Sequence, residues 1–321
     1  MRAAIQHCYG PPESLTIAQL PRPEPGRGQL RVRVLRSTVT SADARIRGFR
    51  VDPIWRLPMR LMLGFRRPRQ AVPGMEFAGV IDDIGADVQG WQLGQRVFGL
   101  VLRGANAEWL LLPQDAVMAP IPPGISDDAA AATPFGALHA WACLHQLARP
   151  QPGEHLLVLG ASGALGVFAV QFAKMAGLRV TALCSPPNMD MLRALGADTV
   201  LDRTSTAIHD LPARYDILLD LFGGADPTAW RAALSPSARH VQAVFGARDL
   251  AIMAWRRITS GPALRGAIIN PTPSDLQRVA ALLADGAIRP VIDRLLPLEQ
   301  ISAAHALVDS GRKRGAVVLT L

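Results

Sequence analysis

A glycine-rich turn between two apolar runs constrains the fold of this chain more than any other segment. Residues 155–159 are short and apolar, which predicts a buried strand, and residues 165–176 have the composition of a helix. Gly160, Gly163 and Gly166 lie between them, and a second strand candidate follows the helix. A strand, a glycine loop, a helix and a second strand in this order indicate a βαβ unit that binds a dinucleotide.

Each of the three glycines has its own physical role in such a loop. Gly160 permits the tight turn, Gly163 lets backbone N–H groups approach a diphosphate, and Gly166 allows the helix to pack closely against the strand. The phosphates then lie at the positive end of the helix dipole. The other predicted dinucleotide contacts in this loop are Ala161, Ser162, Ala164 and Leu165. The alternative is an α/β turn that binds no nucleotide.

Strand and helix candidates alternate through the rest of this region. The strand candidates are residues 179–184, 199–201, 216–221 and 240–245, with a short helix candidate at 188–195. This alternation is typical of a doubly wound parallel sheet, so we predict an α/β protein.

The regions on either side have a different pattern and predict a second domain. Residues 1–122 are rich in short strand candidates punctuated by glycine and proline, whereas the alternating pattern occupies residues 123–270. The tail at 271–321 contains a helix candidate at 274–285 and a strand candidate at 316–319. Neither has an obvious place in the parallel sheet, so we expect the tail to return to the first domain.

The net charge of +8 is concentrated in one segment of the chain. Residues 45–69 contain eight arginines and one acid, which gives this segment a charge of +7. The other residues together carry only +1. A charge confined to one segment argues against nucleic-acid binding over the whole surface, and no nucleic-acid recognition module accompanies the arginines.

Cysteine content and hydropathy indicate the expected compartment. The three cysteines, Cys8, Cys143 and Cys184, are too few and too widely spaced for a disulfide framework or a four-cysteine zinc site. No apolar stretch is long enough to span a membrane, and the first ten residues lack an apolar signal core. We therefore expect a soluble, cytoplasmic protein without stable membrane insertion.

The residues at the end of the 179–184 strand candidate, the second strand of the βαβ unit, indicate which dinucleotide is bound. An NAD site usually has an acidic residue there, which binds the ribose 2′-hydroxyl. Residues 184–188 instead read Cys-Ser-Pro-Pro-Asn, so Ser185 offers a hydroxyl and no carboxylate is present. This pattern favours NADP(H), with Ser185 and Asn188 among the cofactor contacts.

An ordered series of motifs resembles the medium-chain dehydrogenase/reductase superfamily, within its zinc-free quinone oxidoreductase and enoyl reductase branch. The motifs are PGMEFAGVIDDIG (73–85), LGQRVFGL (93–100), AEWLLLP (107–113), AAATPFGALHAW (130–141), GASGALG (160–166), LGAD (195–198) and YDILLDLFGG (215–224). The resemblance covers essentially the whole chain. It implies a GroES-like catalytic domain made of both chain ends, a Rossmann domain between them and often a homodimer.

The resemblance implies that catalytic zinc is absent. Zinc-dependent members have a histidine and a cysteine where this chain has Met75 and, by our alignment, Thr40 or its neighbours. A thioether and a hydroxyl are poor substitutes for an imidazole and a thiolate. No metal site is therefore expected, and Glu76 is expected to be structural, paired with an arginine.

The resemblance also adds a residue to the predicted cofactor site. Many NADPH-using relatives have a basic residue at the position of Pro187 and a tyrosine at the position of Arg203. We predict that Arg203 supplies the positive charge that Pro187 lacks and binds the 2′-phosphate. The alternative is an ordinary surface arginine. Phe245, at the end of the 240–245 strand candidate, completes the predicted cofactor contacts.

Three residues are candidates for catalysis by comparison with relatives. Thr40 lies where relatives commonly have an asparagine and would donate a hydrogen bond to a substrate carbonyl; alternatively, it caps a helix. His139 lies near the expected nicotinamide position and would donate a proton near neutral pH, or it is a packed helix residue. Tyr9 would line the mouth of the substrate cleft, or it would support the adjacent turn.

The basic segment has several possible roles in such a protein. Residues 54–64 place Trp55, Met59 and Met62 at helical spacing, with arginines on another side. The segment would form a mobile lid, a patch for an anionic substrate, a membrane-surface contact or simply a solvated face. A second apolar and basic stretch at 250–258 favours a bulky apolar substrate.

These observations predict a zinc-independent NADPH-dependent oxidoreductase. Its small-molecule substrate would be a quinone or an activated C=C bond, either bulky and apolar or anionic. The alternative is a catalytically idle dinucleotide-binding protein that senses redox state or acts as a partner subunit.

Overall fold

The computed structural model of the protein describes residues 1–211, 214–223, 225–256, 259 and 261–321. The chain divides into two compact units. The first unit comprises residues 1–51, 55–135 and 271–321, and the second comprises residues 52–54 and 136–270. The part of the 250–258 stretch at 257–258 lies outside the described residues.

The strands and helices follow the order of the chain. The strands are β1 (Arg2–Gln6), β2 (Leu15–Gln19), β3 (Gln29–Val39), β4 (Glu76–Ile84), β5 (Arg96–Leu100), β6 (Trp109–Pro113), β7 (Met118–Pro120), β8 (His155–Leu159), β9 (Arg179–Cys184), β10 (Thr199–Asp202), β11 (Tyr215–Asp220), β12 (Leu234–Gln242), β13 (Ala263–Arg265), β14 (Ile292–Pro297) and β15 (Ala316–Thr320). The helices are α1 (Ser41–Gly48), α2 (Pro53–Leu63), α3 (Asp127–Ala131), α4 (Pro134–Trp141), α5 (Ala164–Met175), α6 (Met189–Ala194), α7 (Ala247–Arg256), α8 (Pro273–Ala284) and α9 (Ile301–Asp309).

The first unit is built on a mixed sheet with the order β14-β15-β3-β4-β5-β7, and β6 also pairs with β3. The long strand β3 is central in this sheet, since it pairs with β15, β4 and β6. Its side chains alternate between the two faces, so that Leu30, Val32 and Val34 all pack into one core. The C-terminal strand β15 pairs antiparallel with β3, with Val317 opposite Val39. The tail therefore completes a sheet that the N-terminal segment begins.

The second unit is a parallel sheet with the order β10-β9-β8-β11-β12-β13. Numbered from β8, this is the strand order 3-2-1-4-5-6 of a Rossmann fold, in which the order reverses between β8 and β11. Its central strands β8 and β11 have apolar cores at residues 156–159 and 217–219, because both faces of the sheet are covered there. The predicted α/β fold, with a doubly wound parallel sheet and a β-rich domain, is confirmed.

One predicted strand is placed wrongly. Strand β12 runs from Leu234 to Gln242, not over 240–245, so Phe245 lies beyond its end. Hydrogen bonding to β11 extends the strand backwards through polar residues that carry no apolar signal. The strand ends before Gly246, whose N–H donates to the carboxylate of Asp249 at the start of α7.

Candidate functional site

The glycine loop has the geometry that close approach requires. Gly160 has φ +75°, a left-handed conformation that favours glycine. A Cβ on Gly166 would lie 2.3 Å from the backbone oxygen of Gly160 and 2.4 Å from that of Ala161. Only a residue without a side chain therefore lets α5 begin this close to β8.

The N-terminal end of α5 suits a diphosphate. Gly163 is the N-cap, makes no side-chain cap and would place a Cβ in contact only with the oxygen of Gly160, at 3.3 Å. The N–H groups of the first turn have no acceptor within the helix, so they are available to an anion. The loop residues Ser162, Ala164 and Leu165 are half-buried, whereas Ala161 is buried. These residues fit the diphosphate of a dinucleotide.

Arg203 and Ser185 meet where two neighbouring parallel strands end. Arg203 follows β10, Ser185 follows β9, and Nε of Arg203 donates a hydrogen bond of 2.8 Å to Oγ of Ser185. The backbone N–H of Arg203 also donates to the carbonyl oxygen of Cys184, at 2.9 Å. The nearby Asp202 carboxylate accepts hydrogen bonds from the N–H and hydroxyl of Thr204. An exposed guanidinium beside a hydroxyl is thus held at the predicted position.

The other predicted cofactor residues near these strand ends are placed as follows. Asn188 is buried just before α6 and makes no side-chain cap to that helix. Phe245 is half-buried, and its ring lies 2.8 Å from the position that a Cβ on Gly266 would take. Cys184 is buried, and burial raises the pKa of its thiol.

Sequence reasoning missed Asp220 and Phe222 at the end of β11. Asp220 is buried, and its carboxylate accepts hydrogen bonds from the backbone N–H groups of Phe222, Gly223 and Ala225 at 2.8–3.2 Å. It thereby holds the turn beside the glycine loop, because a Cβ on Gly160 would lie 3.3 Å from Cβ of Phe222. The Phe222 side chain is 66% exposed at this edge of the sheet. The sequence signal that could have identified this turn is an acid at the end of an apolar strand candidate, Asp220, followed closely by Gly223.

His139 lies on α4, which packs against the helix of the glycine loop. A Cβ on Gly136 would approach the backbone oxygen of Ala164 to 2.4 Å, so the start of α4 contacts the first turn of α5. His139 is half-buried one turn further along. The catalytic role of His139 stays a prediction.

The hydroxyl of Thr40 is engaged within its own helix. It accepts a hydrogen bond from the N–H of Asp43 at 3.0 Å and donates one to the Asp43 carboxylate at 2.7 Å. The Asp43 carboxylate in turn accepts from the N–H of Thr40, which completes a capping box at the start of α1. The structure thus shows the capping role that sequence analysis offered as the alternative, and the donor role stays a prediction.

Glu76 is buried in the same unit, and its predicted pairing with an arginine is wrong. Its carboxylate accepts from the hydroxyl of Thr38 and from the N–H of Phe135, the latter at 2.6 Å. Burial raises the pKa of Glu76 to about 7, and the nearby Lys313 opposes this rise. Burial also lowers the pKa of Lys313 to about 8. The nearby cation is thus Lys313, which follows α9 in the chain.

Tyr9 connects the first turn of the chain to the basic segment. Its hydroxyl donates a hydrogen bond of 2.9 Å to the carbonyl oxygen of Gly64, and its ring lies 4.8 Å from that of Phe49. The guanidinium of Arg60 lies over both rings, 4.7 Å from the Tyr9 centroid and 3.7 Å from the Phe49 centroid. Burial raises the pKa of Tyr9, while Arg60 and Arg103 oppose that rise. Tyr9 therefore supports the loop that follows α2.

Thr40 and Met75, which stand where zinc-dependent members have zinc ligands, contact each other. The Thr40 hydroxyl lies 3.8 Å from the sulfur of Met75. Among the described residues, no three His, Cys, Asp or Glu side chains are grouped so that they could hold a metal ion. Over the same residues, no helix is long and apolar enough to cross a membrane.

Comparison with known families matches both units. Residues 26–123 match the family model described as "Alcohol dehydrogenase GroES-like domain", and residues 195–319 match the one described as "Zinc-binding dehydrogenase". The chain is similar to the quinone oxidoreductase from Coxiella burnetii, with a TM-score of 0.87 and 23% identity over 100% of this chain and 99% of that one. This structural likeness shows the fold.

Curated relatives carry oxidoreductase names. The spinach (Spinacia oleracea) "Quinone-oxidoreductase homolog, chloroplastic" is 26% identical, with 99% of each chain covered. The mouse (Mus musculus) "NAD(P)H oxidoreductase RTN4IP1, mitochondrial" is 28% identical over 77% of this chain and 70% of its own length. The "Trans-enoyl reductase pgmF" of Aspergillus terreus is 28% identical over 78% of this chain and 77% of its own.

The two units, the glycine loop and these relatives define a nicotinamide-dependent oxidoreductase that acts on a small molecule. The chain belongs to the medium-chain dehydrogenase/reductase superfamily, in its quinone oxidoreductase and enoyl reductase branch.

Proposed function

We propose that this protein is a zinc-independent, NADPH-dependent oxidoreductase that reduces a quinone or an activated C=C bond of an enone or enoyl substrate. The single observation that carries the cofactor assignment is the bond between Arg203 and Ser185. The names of the spinach and Aspergillus relatives support the two substrate classes.

The preference for NADPH follows from charge at the ends of β9 and β10. A 2′-phosphate is doubly charged near neutral pH, and a guanidinium forms paired, charge-assisted hydrogen bonds with it. Arg203 is exposed, and its Nε donates to the serine hydroxyl, so that its terminal nitrogens would be available to the 2′-phosphate. A carboxylate at the position of Ser185 would instead favour the ribose hydroxyl of NAD.

The protein residues have limited tasks in this reaction. When bound, the nicotinamide supplies a hydride to an electron-poor carbon of the substrate. The first turn of α5 holds the diphosphate and Arg203 holds the 2′-phosphate. His139 is proposed to donate the proton that completes the reduction, and a hydroxyl such as that of Thr40 to polarise the substrate carbonyl.

The donor groups around Thr40 support chemistry without zinc. Met75 offers a thioether, and the Thr40 hydroxyl is already bonded to Asp43. Neither provides the thiolate or imidazole that zinc sites use. The electron-poor substrates proposed here accept a hydride without a Lewis acid of that kind.

A second candidate function has one observation in its favour. The Thr40 hydroxyl, the proposed donor to the substrate carbonyl, donates its proton to Asp43 instead. A catalytically idle protein that binds the dinucleotide and senses redox state would have this arrangement.

Turnover separates the two functions. We expect NADPH oxidation, followed at its absorbance band, to be stimulated by members of a panel of quinones, enones and enoyl thioesters. NADPH binding by fluorescence titration, without oxidation by any member of the panel, would support the sensor instead. A homodimeric state and a cytoplasmic location stay predictions, and matched relatives carry mitochondrial and chloroplastic names.

A further inference from the structure

Helix α2 presents apolar side chains to solvent as well as to the protein. Trp55, Met59 and Leu63 are spaced one turn apart and are half-buried or buried, so they form its packed side. Leu57 and Leu61 lie on the other side and are 62% and 54% exposed. Packing of the helix does not require this outer pair.

The end of α2 and the loop after it also expose apolar side chains. Phe65 is 56% exposed and Met62 is 50% exposed. The loop is held in a defined shape, because Gly64 has φ +115° and its carbonyl accepts from Tyr9. The N–H of Arg69 also donates a 2.7 Å hydrogen bond to the oxygen of Leu63.

The charge around this surface is positive, and Asp52 is the acid that immediately precedes α2. Residues 53–75 contain five arginines and no Asp or Glu. In the part of the chain that the structure describes, no ion pair involves Arg56, Arg66, Arg67 or Arg69, whereas Arg47 and Arg50 both pair with Asp309.

A cavity of about 530 Å³ lies beside the loop. It is lined by Gln6, His7, Ala71 and residues 64–69, which include three of the unpaired arginines. The three arginines of its lining give the cavity a positive charge that is complementary to a phosphate ester.

We propose that α2 and residues 64–69 form a docking surface for a membrane of anionic phospholipid. In this arrangement a lipid phosphate enters the cavity, while Leu57, Leu61 and Phe65 enter the interfacial region of the bilayer. An apolar face bordered by arginines is the pattern of a helix that lies on a membrane without crossing it. Attraction between the arginines and anionic lipid adds to burial of the apolar side chains.

Two other possible partners of this surface, a soluble phosphate and a second copy of this chain, account for fewer of its features. A soluble phosphate would use the cavity but would leave the outward leucines without a role. A second copy of this chain, in a twofold interface, would bring the same five arginines face to face, which is repulsive.

The test uses the full chain and sedimentation with phosphatidylcholine vesicles, with or without phosphatidylserine. We expect binding only with phosphatidylserine, weakened by salt. Arg66→Gln with Arg67→Gln should weaken it about 25-fold, since each arginine contributes about fivefold. Leu57→Ser with Leu61→Ser should weaken binding at least about tenfold with no change in charge.

Matched controls make the test specific. Arg179→Gln with Arg294→Gln removes the same charge elsewhere, and Leu93→Ser removes an apolar side chain that is 65% exposed elsewhere; both should bind as the unaltered protein does. Equal losses in these controls, or no binding to phosphatidylserine vesicles, would overturn the proposal. So would saturable binding of inorganic phosphate without vesicle binding, which indicates a soluble ligand. A change of oligomeric state in the leucine variant, measured by light scattering, would overturn it in favour of a second copy.

Discussion

Nε of Arg203 donates a 2.8 Å hydrogen bond to Oγ of Ser185, which joins the carboxyl ends of two adjacent parallel strands. The bond fixes the direction of an exposed cation at the edge where a dinucleotide ribose is expected. We therefore expect cofactor preference to depend on Arg203, whose side chain Ser185 orients.

Replacement of Arg203 tests this dependence. Arg203→Ala should raise the Kd of NADPH by about 10- to 100-fold, which is the range for the loss of a charge-assisted hydrogen bond. The Kd of NADH should stay nearly constant, because NADH has no 2′-phosphate. Fluorescence titration with both cofactors measures the ratio, and Arg179→Ala serves as the exposed control. An unchanged preference would identify Arg203 as an ordinary surface residue.

Two glycines of the same loop should respond differently to a methyl group. Gly166→Ala places a Cβ 2.3 Å from a backbone oxygen, so we expect it to reduce the free energy of unfolding by about 1–3 kcal/mol. Gly163→Ala meets only one atom, at 3.3 Å, and should cost less than about 1 kcal/mol while weakening dinucleotide binding. Denaturant unfolding and cofactor titration separate the two effects. Equal stability losses would contradict the assigned roles.

His139→Gln tests the proposed proton donor. The glutamine keeps a polar side chain on α4 but cannot supply a proton near neutral pH, so kcat should fall by about 100-fold or more. The Kd of NADPH should change little. If cofactor binding falls in parallel with turnover, His139 has a structural role on α4.

Thr40→Ala tests a residue with two possible functions. Loss of the cap at the start of α1 should reduce the free energy of unfolding by about 1 kcal/mol. If the hydroxyl also polarises the substrate, kcat should fall more than NADPH affinity does. Thr40→Ser keeps the hydroxyl and should have the stability and the kcat of the unaltered protein. Full turnover in a folded Thr40→Ala protein would leave only the capping role.

The buried carboxyl of Glu76 should make stability depend on pH. Its pKa is raised from 4.5 to about 7, so between these values the folded state holds a proton that the unfolded state has released. Stability contributed by this group therefore falls as pH rises from 4.5 to about 7 and then levels off. Relative to the unaltered protein, the free energy of unfolding of Glu76→Gln should increase as pH rises from 4.5 to about 7, and the difference should then stay constant, as urea unfolding at several pH values would measure. Parallel pH profiles would show that Glu76 titrates normally.

Local signals were sufficient to predict the βαβ unit of the cofactor half of the protein. The strand, glycine loop and helix at 155–176 form from contacts between near neighbours, so period and glycine spacing predict them. Another local signal is Ser126, which accepts from the N–H of Ala129 three residues later and caps α3. The polar start of β12 was missed because pairing with another strand, not apolar periodicity, extends it.

The partners of most candidate side chains were decided only by the tertiary structure. Glu76 meets Thr38 and Phe135, which are 38 and 59 residues away in the chain. Arg203 meets Ser185 because β9 and β10 are neighbours in the sheet. The outward direction of Leu57 and Leu61 depends on which side of α2 the protein covers. The sequence by itself determined the elements and their chemistry, since these depend on residues within a few turns. Which groups face one another was decided by the tertiary structure, because distant segments become neighbours only when the core is buried.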